Sequence, residues 1–416
     1  MIFLNDPPAC LARPARKSKS SLYYGALACS LIVWSVVLCG VPDANAESDP
    51  KPVPTQDVTG AADAAVPYEV VLDLPPGPGN PRNSEGDFII LKDGRILFVY
   101  TRFTGGSGDH AAASLVSRCS KDGGATWTAE DVEVLANEGG MNIMSVSLLR
   151  LSDDSIALFY LRKNAEDDCR PLMRVSRDEA ATWGPPTECI PKPVGYYVVN
   201  NSRVVQLASG RLVVPAALHA LKGEPFRNRG KVLCVLSDDL GKTWYPSKTI
   251  LEAPPDLQTG FQEPGVVELA DGGLWMLLRN SGGVFYRSTS QDGGVTWSDA
   301  VPTDLATPVS PASFKRIPGS DTLLLLWNDQ TNIPEALRNK RTPLTLALSR
   351  DNGATWEYRV TVENDPYGWY CYTAIAFTDA HALFGFCAGD TRVMSGLART
   401  RIARVPLSWL RDKAGR

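Results

Sequence analysis

Six short segments of this chain carry charged, polar or phenolic side chains where the flanking sequence reads as strand. They are Arg82-Asn83-Ser84-Glu85, Met141-Asn142-Ile143, Asn200-Asn201-Ser202-Arg203, Phe261-Gln262-Glu263-Pro264, Ser310-Pro311-Ala312-Ser313 and Tyr370-Cys371-Tyr372-Thr373. A strand buried on both faces would be Val and Ile at these places. Guanidinium groups grip anions, and carboxylates and phenols move protons. Gathered around one axis, such residues line a polar cavity. Some of them can equally bond to one another and to trapped water.

A second pattern shows what positions them. The box Ser-x-Asp-x-Gly-x-Thr-Trp starts at Ser120, Ser176, Ser237, Ser290 and Ser349, at intervals of 56, 61, 53 and 59 residues. Each box has the chemistry of a tight turn: an Asp to bond backbone N–H groups, a Gly free to take positive φ, and a Trp to pack beneath. Each interval holds one four-stranded sheet and its loops. The second copy has Ala180 at the Gly position, which predicts a looser or rearranged turn. A weaker echo, a turn followed by an apolar run, recurs from Leu91, Leu151, Leu207, Leu269 and Ile317, with a sixth version from Phe377 beyond the last box. Six repeats predict an all-β fold, a six-bladed β-propeller of four-stranded antiparallel sheets. The echo is each blade's second strand, so the polar segments just before it form the innermost strands. A strand at Tyr68–Leu74 is expected beside the last blade, where it covers an exposed edge.

The ends and composition bound the rest. Residues 1–46 have a basic stretch, an apolar run from Gly25 to Val41 and a closing Ala44-Asn45-Ala46, the pattern of a secretory signal peptide. An uncleaved membrane anchor is the alternative, and membrane contact is expected only in that case. Residues 47–66 read as a flexible leader and residues 67–416 as the propeller, exported to the periplasm or the extracellular space. A net charge of −4 without Lys/Arg runs in the mature part argues against a nucleic-acid partner. Six cysteines remain after the signal, and Cys169 and Cys189, which bracket the second box, are placed to staple it; the alternative is buried thiols. No Cys-x-x-Cys or Cys/His cluster occurs, so no metal site is expected.

These boxes and the segment from Gln262 to Asp271-Gly272, followed by Trp275-Met276-Leu277-Leu278-Arg279-Asn280, resemble the sialidase (neuraminidase) superfamily over essentially the whole mature domain. The resemblance implies a six-bladed propeller. It also implies that Glu263 activates a nucleophile, that Arg279 and the Arg341 of Arg341-Thr342-Pro343 grip a substrate carboxylate, and that Tyr372-Thr373 supplies the nucleophile. The family's opening Arg-Ile-Pro is replaced by Pro81-Arg82-Asn83-Ser84-Glu85, which leaves Arg82 as the first carboxylate ligand. The loop Thr104-Gly105-Gly106-Ser107-Gly108-Asp109-His110 makes Asp109 the acid/base candidate on a mobile flap, with Glu85 and Asp87 as rivals. Tyr370 and Tyr367 compete with Tyr372, and Asn200, Asn201 and His219 are candidates for shaping substrate contacts.

The chemistry is coherent. Sialic acid carries a carboxylate on its anomeric carbon, and a carboxylate nucleophile would approach against about 4 kcal/mol of repulsion at ~4 Å and an effective dielectric near 20. A neutral Tyr avoids this, provided a Glu takes its proton. Asp109 would protonate the leaving oxygen and then activate water, giving retention in two steps. No cofactor is implied. Because arginines recognise a carboxylate rather than a ring, hydrolysis of another acidic sugar is an alternative, as is a non-catalytic glycan-binding propeller.

Overall fold

The computed structural model describes residues 66–415. The expected signal peptide, and all but the last residue of the expected leader, lie outside the described residues. The described chain is all-β apart from a 3₁₀ turn at Glu335–Leu337 and a terminal helix at Leu407–Ala414. Strand burial follows position in the sheet. Leu323–Trp327, second in its sheet, is buried at every residue, whereas Glu357–Glu363, on an outer edge, alternates between exposed and half-buried.

Four sheets have four antiparallel strands each. The first runs from Arg82–Ile90 to Val132–Leu135, another from Gln262–Glu268 to Val301–Ala306, and a third from Ser313–Arg316 to Glu357–Glu363. The last begins with Gly368–Phe377 and takes the N-terminal strand Glu69–Leu74 onto its far edge, antiparallel to Thr400–Pro406, as expected from sequence. The remaining sheet departs from the expectation of separate four-stranded units. It has nine strands, because Gly195–Val198 pairs in parallel with Asp168–Ser176 at Tyr196 and Cys169 and so joins the second and third repeats.

The core consists of apolar layers between successive repeats. Val99, Leu115 and Leu148 join the first to the second, and Leu277, Phe285, Leu325 and Ala347 join the fourth to the fifth. Phe88, Phe98 and Tyr100 of the first sheet pack with Leu383 and Ile402 of the last. Burying such side chains contributes roughly 1.5–3 kcal/mol each. First strands also lie against one another: Arg82–Ile90 touches both Asn142–Arg150 and Gly368–Phe377, and Ser313–Arg316 touches both Gln262–Glu268 and Gly368–Phe377.

The boxes are built alike. In the first, the Ser120 hydroxyl accepts from Gly124 N–H at 2.9 Å and donates to Asp122, whose other bonds come from Thr126 N–H at 2.9 Å and Thr126 Oγ1 at 2.6 Å. The second box is not looser, contrary to the sequence expectation. Ala180 takes φ 64° and keeps every one of these bonds, at a cost of about 1–2 kcal/mol for a left-handed L-residue. Cys169 and Cys189 do not staple it; all six described cysteines are free thiols, and five are buried.

The threonine hydrogen bonds hold Asp122, Asp178 and Asp239 at a pKa of about 2. A carboxyl with a depressed folded pKa contributes stability that is complete above its unfolded value of 3.8 and is lost as pH falls through about 2. The melting temperature followed by circular dichroism should therefore decline mainly between pH 4 and pH 2. A melting temperature flat across that interval would show that the boxes contribute nothing.

Candidate active site

The polar segments converge because their strands bulge. Register shifts fall at Ser84/Asp87, Met144/Ser147, Gln262/Gly265 and Cys371/Ala374. Within these shifts Glu85, Ser145, Glu263 and Tyr372 take φ of 58°, 61°, 40° and 54°. A bulge bends its strand and re-aims a side chain, and left-handed non-glycine residues cost about 1–3 kcal/mol each. All four residues line one cavity of about 210 Å³.

Tyr372 is the centre of the arrangement. Its hydroxyl donates to Glu263 Oε1 at 3.3 Å, and Arg279 donates to the other Glu263 oxygen. Burial, and then the Glu263 charge, push the phenol pKa well above the ordinary tyrosine value, so Tyr372 is neutral until a base takes its proton. The Arg341 guanidinium sits 5.2 Å from the Tyr372 ring and 5.3 Å from the Trp369 ring, within cation–π range. Asn201 Nδ2 donates to the carbonyls of Tyr372 and Gly86 and so ties the backbone of two bulges together.

On the opposite side, Arg82 is 1% exposed and every nitrogen is engaged: Nε with Ser84, one terminal nitrogen with Asp109 at 2.5 Å and the Ser107 carbonyl at 3.2 Å, the other with Glu85 at 2.7 Å. It braces two carboxylates, and four of its five N–H donors are engaged in all. Ser145 donates to the second Glu85 oxygen. Burial raises the Glu85 pKa despite Arg82. Asp109 is 57% exposed, and although burial opposes it, Arg82 with Lys163 holds its carboxyl below the usual range. The loop that carries it is tied down at this end: Lys163 Nζ and Asn142 Nδ2 donate to the Asp109 carbonyl at 2.7 and 2.9 Å.

Of the six candidates named from sequence, Tyr372, Glu263, Arg279 and Asp109 line the cavity directly, whereas Arg82 and Arg341 stand behind Asp109 and Tyr372. The rival Glu85 also lines it; Asp87 does not, being spent on the N–H groups of Phe88 and Leu148. Tyr367, 45% exposed, stacks with Arg392 and lies away from the cavity. Asn200 and His219 line it, on a wall that includes Tyr196 and Phe226. His219 stacks on Phe226 with centroids 5.1 Å apart.

Lys163 was not anticipated, and Arg203 stood in an inner segment without being singled out. Lys163, 2% exposed, lies within the strand Ile156–Ala165, two residues beyond Leu161, which holds the pairing place of Arg279, so lining up second strands would have missed it. Arg203 is 3% exposed, donates to Ser313 at 2.8 Å, and is lowered to about 10 by burial despite Glu263 and Asp87. The cavity lining holds Glu85, Asp109 and Glu263 with Lys163 and Arg279, while Arg82, Arg203 and Arg341 stand behind it. Cations and carboxylates are therefore interleaved, and an anion is met by particular guanidinium groups rather than by a net field.

Known proteins share this architecture. An anhydrosialidase of Macrobdella decora is 28% identical over 250 residues, which is 54% of this chain and 30% of the relative. A solved protein of unknown function from Dyadobacter fermentans superposes with a TM-score of 0.64 at 18% identity, covering 81% of this chain and 99% of that one. A leech intramolecular trans-sialidase complexed with 2,7-anhydro-Neu5Ac superposes with a TM-score of 0.63 at 17% identity, over 80% of this chain and 69% of that one. These likenesses support the fold. The sequence model of the BNR repeat-like domain family matches residues 141–384, more than half of the chain, and the chain belongs to that family within the sialidase superfamily.

Proposed function

We propose that this chain is an exported six-bladed propeller and a retaining glycoside hydrolase of exo-α-sialidase type, releasing terminal sialic acid from glycoconjugates. The observation that carries the reading is the Tyr372 hydroxyl against a Glu263 carboxylate that is itself paired with Arg279, in a cavity that Lys163 also lines. A module that only binds glycans has no use for a phenol held against a base. The six-bladed form is supported by the apolar layer joining first and last sheets. The signal peptide at 1–46 and the leader at 47–66 remain part of the proposal, as does export; among the described residues no helix is long and apolar enough to cross a membrane.

Tyr372 attacks the anomeric carbon as Glu263 takes its proton, Arg82, Arg279 and Arg341 hold the carboxylate, and Asp109 serves as acid and then base. Arg82 and Arg341 both stand behind the wall, Arg82 with one N–H and Arg341 with Nη1 unengaged among the described residues, so the three-arginine clamp stays part of the proposal. The second reading is a hydrolase of another carboxylated sugar such as a uronide, because guanidinium groups recognise the carboxylate rather than the ring.

Purified residues 47–416 should release the fluorophore from an aryl α-sialoside and little from an aryl uronide. Turnover of the uronide alone would replace sialic acid with that sugar, and turnover of neither by a folded protein would sink the enzymatic reading. Product mass separates free sialic acid from the anhydro sugar held by the leech relative.

A further inference from the structure

We propose that Cys371 and Cys387 close into a cross-strand disulfide, a redox modification site next to Tyr372 of the candidate active site. The two residues lie directly opposite one another on the antiparallel strands Gly368–Phe377 and His381–Asp390. Residues so placed have Cα atoms about 4.5–5.5 Å apart, inside the roughly 4.4–6.8 Å that a disulfide spans. Directly opposite residues of an antiparallel pair share one face of the sheet, so the two side chains stand side by side. Each residue is 1% exposed, so an external disulfide reaches either sulfur through local opening of the strand pair.

The pair is also chemically asymmetric. Burial works to raise the Cys371 pKa, but the Cys387 thiol and the Arg341 guanidinium together outweigh it and hold the thiol below its ordinary value. Burial and the Cys371 charge push Cys387 up. Cys371 is the sulfur with thiolate character, and the thiolate is the attacking form in exchange. It attacks one sulfur of an external disulfide and expels a thiolate. Cys387 passes its proton to solvent, attacks the Cys371 sulfur of the mixed disulfide and expels the second thiolate. Two protein thiols and one external disulfide become one protein disulfide and two small thiols.

The bond has a consequence next door, because Cys371 precedes Tyr372 and its ionisable thiol acts electrostatically on Arg341. Closing the disulfide removes that thiolate character from the surroundings of the arginine. On the carboxylate-binding reading above, the linked form then holds an acidic sugar more tightly.

The test uses the folded full chain incubated with oxidised glutathione or with dithiothreitol, then unfolded, alkylated and digested for peptide mass. After the disulfide reagent, the peptides carrying Cys371 and Cys387 should appear as one linked, unalkylated species two hydrogens lighter than the sum, and Cys387→Ser should abolish it. Complete alkylation of both thiols in the oxidised sample, or a persistent glutathione adduct on Cys371, overturns the proposal. This readout needs no catalysis, so it stands apart from the sialoside assay. With an active preparation, the linked form should show KM lowered several-fold; an unchanged KM overturns the coupling to Arg341.

Discussion

Tyr372→Phe leaves a folded protein that no longer turns over an aryl α-sialoside, with kcat reduced on the order of 10³-fold or more, the scale expected when a covalent nucleophile is removed. The aryl leaving group matters to the choice of substrate. It needs little protonation, so the measurement isolates the attacking group from the acid. The structural cost is small. The ring stays in place beneath the Arg341 guanidinium, and the lost hydroxyl made one 3.3 Å bond to a Glu263 that keeps Arg279, so stability changes by about 1 kcal/mol. The variant should still bind sialic acid, as shown by a rise in melting temperature with added sugar. A folded Tyr372→Phe protein with wild-type turnover would remove the phenol from the chemistry and return the site to a glycan-binding role.

The sequence made the periphery of this fold more legible than its centre, for a physical reason. The boxes are local: Ser, Asp, Gly and Thr within eight residues bond one another, so the pattern carries its own contacts. Even the degenerate copy followed the same rule, because the Asp178 and Ser176 bonds supply what Gly would have made cheap. The central residues bond across repeats, as Ser145 does with Glu85, 60 residues away, and Asn201 with Tyr372, 171 away. Alignment by repeat phase singled out the segments of Glu263 and Tyr372, each inside a bulge of its own strand, while Arg279, on the strand opposite a bulge, came from the resemblance. It could not show that Arg82 would be consumed by Asp109 and Glu85, since that depends on where the Gly-rich loop lands. Nor could it show the parallel pairing of Tyr196 with Cys169 that fuses two sheets.

Glu263→Gln tests the other half of the central pair, and its signature lies in the pH profile. Loss of a positioned general base costs about 10²–10⁴ in rate at neutral pH. In the wild-type protein, burial first and the Glu263 charge second raise the Tyr372 pKa, while Arg341 and Arg279 lower it. Gln removes the Glu263 contribution and frees Arg279 from its ion pair, so the phenol of the variant ionises at lower pH than that of the wild type. Below that pKa only the ionised fraction can attack unaided, and that fraction grows tenfold per pH unit. The variant's kcat/KM should accordingly climb with pH toward the alkaline limit of the assay, whereas the wild-type enzyme has no need of the phenolate in the resting state. Glu263→Ala, which empties the place of the carboxylate, should regain part of its neutral-pH rate with added azide or formate. If the Gln variant is slow but has the same pH profile as wild type, Glu263 is only a structural partner of Arg279, and the proton from Tyr372 must go elsewhere. The remaining carboxylates on the cavity wall are Glu85 and Asp109; each is already bonded to Arg82, whereas Glu263 already holds the Tyr372 hydroxyl, so neither is as well placed to take the proton.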